Sequence, residues 1–205
     1  MDSEPLGHRA MASVLAEHGV EVDAAALQEE FRGWELAREL DVLADRHRTR
    51  LGPAVVTRYR QRLAELFDAE LLPLPGAREA VLAARAAGCA VAVASGGPMQ
   101  KITQALAVTG LAELFGASLY SSYDVGSFKP EPGLFLHVAR HQGVDPSRCL
   151  VVEDSAVGVE AARRAGMTVV HVEARASTAA LPAGVARLKD LHGLAAAFAP
   201  ASGVR

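Results

Sequence analysis

Apolar residues recur three and four positions apart through the first third of the chain, and that spacing predicts helices. It is repeated in "LGHRAMASVLAEHG", "DAAALQEEF", "WELARELDVLADRH" and "VVTRYRQRLAELFDAELL", and no stretch from residue 6 to about residue 70 alternates with period two. Asp2, Ser3 and Glu4 stand ahead of the first stripe as capping residues, with Pro5 at its start. The stretch "LPLPGA" then breaks the pattern, and Gly76 opens a further helix. After it the texture changes. "CAVAVASGG", "ASLYSS", "RCLVVEDS" and "MTVVHVEA" are short apolar runs, separated by the helical patterns "MQKITQALAVTG", "KPEPGLFLHVARHQG" and "AVGVEAARRAG". Near-continuous apolar strands alternating with helices predict an α/β fold with a doubly wound parallel sheet covered on both faces.

Composition narrows the function classes. Half of the 205 residues are apolar and 22% are charged, which suits a globular chain with a sizeable core. The net charge of −3 gives no basic field for nucleic acid. No apolar run reaches the length of a membrane span, and no signal peptide is recognisable. Cys89 and Cys149 each open an apolar run without metal-site spacing, so both are expected to be buried, reduced strand residues of a cytoplasmic protein.

In an open parallel sheet, ligands bind beyond the carboxyl ends of the strands, so the strand-ending residues are the candidates for chemistry. "VAVASGGP" ends in Ser95, Gly96 and Gly97, which make either a tight glycine turn or a phosphate cradle of hydroxyl and backbone N–H groups. "SFKPEP" sets Lys129 before Pro130, which disfavours a helical backbone at the lysine; this residue either neutralises a phosphate or is simply solvated. "LVVEDSAVG" ends a strand with Glu153 and Asp154, where either a hard cation such as Mg²⁺ is held or Asp154 or Ser155 caps the next helix. Hydroxyl, lysine and acidic pair follow one another at successive strand ends, and together they favour a site for phosphate and magnesium.

This combination resembles the haloacid dehalogenase superfamily, in its β-phosphoglucomutase-like branch with a small α-helical cap. The motifs "DSEP", "ASGGP", "SFKPEPGLF" and "VVEDSAVGVEAARRAGM" occur in the family's order over essentially the whole chain. "FRGWELARELDVL" with "LAELFDAELLPLPGA" looks most like the sugar-phosphate phosphatases of the branch. The resemblance implies a core domain of residues 1–5 and 73–205 and a helical cap of residues 6–72. It implies that Ser95 binds the phosphoryl group with Gly96 and Gly97, and that Lys129 balances charge on phosphate and nucleophile. Asp154 would hold Mg²⁺ with Glu153 beside it, and Arg32 on the cap would contact an acidic substrate. Replacing Lys129 is expected to cut turnover while shifting thermal stability little.

The resemblance also implies a reaction. A Mg²⁺-dependent phosphatase of small phosphorylated metabolites is expected, a monomer with no nucleic-acid or membrane partner. The alternatives are a non-catalytic member that binds a phosphorylated ligand, a phosphosugar mutase and, more remotely, a dehalogenase. Gly7 stands where mutase members carry a histidine, with His8 one place over, and Leu36 lies close to where they carry an arginine. Gly96 replaces a residue that is polar in many members. In the family, "DSEP" follows a buried strand ending in an Asp-x-Asp-Gly-x-Leu motif whose first aspartate is the nucleophile, and this sequence contains no Asp-x-Asp. The chain is therefore expected to lack the family's first core strand, which would lie between "VAVAS" and "LVVED", and to be inactive as it stands. A valine GTG codon read as a start would account for that.

Overall fold

A computed structural model describes residue 1, residues 3–173 and residues 181–198 of the chain. These residues belong to two units, one of Asp2–Leu72 and one of Met1 with Pro73–Arg205.

The first unit is helical. Its elements are α1 (Glu4–Ala16), α2 (Ala24–Phe31), α3 (Leu36–His47) and α4 (Pro53–Glu70). Proline opens α1 and α4, where a missing N–H leaves no bond unmade. Asp23 caps α2 by accepting a hydrogen bond from Ala26 N–H at 2.8 Å. Ser3 precedes α1 in a helical conformation and makes no capping bond, contrary to its expected role. The stripes legible in the sequence converge on one core containing Met11, Val14, Leu15, Phe31, Leu43 and Val55, all nearly inaccessible to solvent. Exposed ion pairs such as Arg58–Glu17 rim this core and add little to its stability.

The second unit alternates strand and helix. It begins with α5 (Ala77–Ala86) and runs through β1 (Val93–Ser95), α6 (Met99–Val108), α7 (Ala112–Phe115), β2 (Leu119–Ser121), α8 (Ser122–Val125) and α9 (Gly133–His141). It continues with β3 (Leu150–Glu153), α10 (Ala156–Arg164), β4 (Thr168–Val172), β5 (Ala186–Leu188) and α11 (His192–Ala197). All strand pairings are parallel, in two pieces: β1 with β2, and β3 with β4 and then β5. The α/β class with parallel strands and covering helices therefore holds. β1 and β3, the strands expected to flank the absent one, are not paired with each other among the described residues. Along β3, Val151 and Glu153 are buried whereas Leu150 and Val152 are each 40% exposed. One face of this strand meets the core formed with Phe135, Val159 and Ala162, and the other does not.

The cysteine expectation fails here. Cys89 is exposed, Cys149 is half-buried, and neither lies in a strand. The "CAVAVASGG" run pairs only over Val93–Ser95, because β2 matches it over three residues alone. Both thiols consequently fall before the ladders begin.

Gly76 is a point of close backbone approach in the second unit. Its φ of 78° is left-handed, and a Cβ there would run into the backbone of Leu191 and His192 at the start of α11. Leu191 N–H donates to Pro75 O at 2.9 Å and holds that approach. Gly76→Ala is expected to destabilise this unit by about 2 kcal/mol, from left-handed strain together with displacement of α11. A thermal melt checks this, and an unchanged midpoint would contradict it.

Candidate functional site

The strand ends carry the polar groups that the apolar strands cannot. β3 delivers Glu153, only 9% exposed, into the interior at its carboxyl end. Lys129 reaches it from the segment between α8 and α9, with Nζ donating to Glu153 Oε2 at 2.6 Å. The Lys129–Pro130 peptide bond is cis. Lys129 Nζ also lies 5.0 Å from the centroid of the Phe135 ring, so the ammonium sits against an aromatic face as well as a carboxylate. Among the described residues Glu153 is its one hydrogen-bond partner, which leaves two ammonium hydrogens for an anion.

The second carboxylate oxygen is also engaged. Ser155 Oγ donates to Glu153 Oε1 at 2.8 Å, and the N–H groups of Asp154 and Ser155 point to the same oxygen at 3.3 Å each. Ser155 Oγ in turn accepts from Gly158 N–H at 3.1 Å and so caps α10. Of the two residues offered as caps, Ser155 does the work. Gly158 is required in this arrangement, because a Cβ there would overlap Cγ, Cδ and Oε1 of Glu153.

Burial alone would push the Glu153 carboxyl up. The Lys129 charge, its hydrogen bond, and those from Ser155 and Asp154 outweigh that and hold the carboxyl below the usual range. Glu153 is thus an ionised, buried anchor for Lys129. The pair also corrects one expectation. A lysine this buried, with a side chain only 12% exposed and paired to a carboxylate at 8%, cannot be removed without a stability cost.

The glycine turn after β1 is built by two serines. Ser95 Oγ accepts from Gly97 N–H at 3.1 Å, so its own hydroxyl hydrogen remains available to a ligand. Ser121 Oγ donates to Gly97 O at 2.7 Å. Around Gly96 there is open space, since a Cβ would meet nothing within 4 Å. Lys129 and Glu153 are brought together directly, and Ser95 and Gly97 likewise, while no hydrogen bond joins Ser95 to Lys129. Arg32 lies in the helical unit, where it is half-buried and ends α2. In that unit His8 is buried 4.0 Å from Glu39, and Gly7 sits under the Tyr59 hydroxyl, 3.3 Å from where a Cβ would stand.

The chemistry of the donors fits Mg²⁺ through one residue rather than two. Among the described residues no three His, Cys, Asp or Glu side chains cluster as a metal cage. Both oxygens of Glu153 are already engaged by Lys129 and Ser155, and Asp154 is the half-buried carboxylate of the acidic pair. Mg²⁺ characteristically uses one or two carboxylates with waters and substrate phosphate oxygens, so this donor set is sufficient beside a bound phosphate.

Ser121, Ser155 as a partner of Glu153, and Gly158 are residues that sequence reasoning did not assign to the site. For Ser121 a signal existed: it ends β2 as Ser95 ends β1, and the two are direct register partners.

Comparisons with known proteins bear on the family of the chain. The family model for haloacid dehalogenase-like hydrolases matches residues 2–166. The chain is 31% identical to the 6-phosphogluconate phosphatase of Escherichia coli K12 over 172 residues, covering 83% of this chain and 76% of that protein. It is 33% identical to hexitol phosphatase B of the same organism over 177 residues, covering 85% and 79%. Among solved structures, a haloacid dehalogenase family hydrolase from Deinococcus radiodurans R1, with bound phosphate and sodium, superimposes with a TM-score of 0.71 at 29% identity. That match covers 97% of this chain and 92% of the other.

Proposed function

This chain belongs to the haloacid dehalogenase-like hydrolases, and on that premise we propose that it serves the hydrolysis of phosphate monoesters of small metabolites, sugar phosphates foremost. The observation that carries this reading is the buried Lys129–Glu153 pair at the carboxyl end of β3, in the same unit as the Ser95–Gly97 turn. A cation held in a dry setting costs no reorganisation when negative charge arrives, and it acts there more strongly than in water. Ser95 offers a hydroxyl hydrogen to one phosphoryl oxygen, and Lys129 offers ammonium hydrogens to another. Glu153 keeps the ammonium charged and aimed. Asp154 would hold Mg²⁺, which when bound would neutralise charge on the phosphoryl group. Phosphatase relatives at 31% and 33% identity, and a structural relative that binds phosphate, support the assignment.

These residues account for binding and charge stabilisation. The sequence has no Asp-x-Asp pair to supply an aspartyl-phosphate, and that observation favours a second reading in which the chain binds a phosphorylated ligand without turning it over. Calorimetric titration of the chain with inorganic phosphate and a hexose phosphate, with and without Mg²⁺, tests the site. Phosphate release from the same ester separates the two readings. Binding is expected in both, tightened by Mg²⁺, and Asp154→Asn should abolish most of that tightening, about tenfold. A wild-type chain that binds neither ligand overturns both readings.

A further inference from the structure

We infer that Ser121 is a positioning residue for the phosphate-binding turn, acting through Gly97 on the hydroxyl of Ser95. The inference rests on the phosphate-site reading above and adds to it a residue from a different strand. Ser121 is wholly buried at the end of β2, so it acts through neighbours and not on a ligand. Its Oγ accepts from Tyr123 N–H at 3.1 Å, which commits its hydroxyl hydrogen to Gly97 O at 2.7 Å. Gly97 is thereby held at both ends, its N–H by Ser95 Oγ and its carbonyl by Ser121 Oγ.

The turn needs such an anchor. Gly96 and Gly97 are adjacent residues without side chains, and the following Pro98 has no N–H with which to tie the segment down. The parallel pairing of β1 with β2 sets Ser95 beside Ser121 and fixes the distance across which the anchor works. When Gly97 is held, its N–H occupies a lone pair of Ser95 Oγ and turns the hydroxyl hydrogen toward the ligand. With the Ser121 hydroxyl removed, the Gly-Gly segment samples other conformations and the binding-competent fraction falls. Ser122 supplies an internal control. It is equally buried and lies next in the chain, yet its Oγ has no hydrogen-bond partner among the described residues.

The test is a double-mutant cycle read by titration with inorganic phosphate, with each dissociation constant referred to folded protein. Ser121→Ala is expected to weaken phosphate binding about five- to tenfold, and Ser122→Ala to leave it unchanged. In a Ser95→Ala background, Ser121→Ala should add little further loss, because the group it positions is gone. A dissociation constant unmoved by Ser121→Ala overturns the inference, as does an equal loss in both backgrounds. In either case the phosphate site stands if the wild type binds and Ser95→Ala binds weakly. A wild type that does not bind phosphate removes the site and the inference together.

Discussion

Lys129→Met should destabilise the α/β unit by about 3–5 kcal/mol at neutral pH, because it strands Glu153 as an unpaired buried carboxylate. For a chain of this size that is a fall in melting temperature on the order of 10 °C. The effect should depend on pH in a sense that separates charge from packing. In the wild type the folded carboxyl lies below its ordinary value. Its stabilising contribution is therefore complete above the ordinary carboxylate range and is lost as pH falls through the lowered folded value. In the variant, burial acts without its opposing cation, and the folded value lies above the unfolded one. The contribution is then complete below the unfolded value and is lost as pH rises through the raised one. The stability gap between the two proteins should accordingly narrow from about pH 8 to about pH 5. Denaturant melts at both pH values measure it. A constant gap would mean that Lys129 matters only for its packing. Adding Glu153→Gln to the variant should restore part of the loss, since the unpaired charge is then gone.

Gly158→Ala should also be strongly destabilising, against the direction that helix propensity sets. At an ordinary helix-interior position alanine would gain about 1 kcal/mol over glycine. Here the new methyl would occupy the space of the Glu153 carboxylate, which cannot step aside while Lys129 and Ser155 hold its oxygens. A net loss of about 2–4 kcal/mol is expected, with phosphate binding lost alongside it. The same substitution in a Glu153→Ala background should cost nothing or be mildly stabilising, because the obstructing side chain is absent. Thermal melts of the four proteins decide the point. If Gly158→Ala stabilises the wild type, Glu153 does not depend on that glycine.

Much of the fold was legible in the pattern of apolar positions. The stripes of α1 to α4 and the alternation of apolar runs with helices after Gly76 are local signals, readable before the packing that stabilises them is known. The short elements were less visible. α8, β5 and α11 have too few residues for a periodicity to develop, and β5 exists because β4 offers it an edge. The candidate site divides in the same way. Ser95, Gly97, Lys129, Glu153 and Asp154 stood out as candidates at strand ends, but the pairing of Lys129 with Glu153 and the parts played by Ser121 and Gly158 did not.

By itself, then, the sequence determined the longer helices, the parallel α/β class and the polar chemistry at the ends of β1 and β3, since each follows from residues within a few positions of one another. Only the tertiary structure decided that Glu153 anchors Lys129 across 24 residues, that Gly158 makes room for it, and that Ser121 reaches the turn after β1. Those outcomes depend on desolvation, strand register and excluded volume, which arise between segments distant in sequence and come into being when the chain packs.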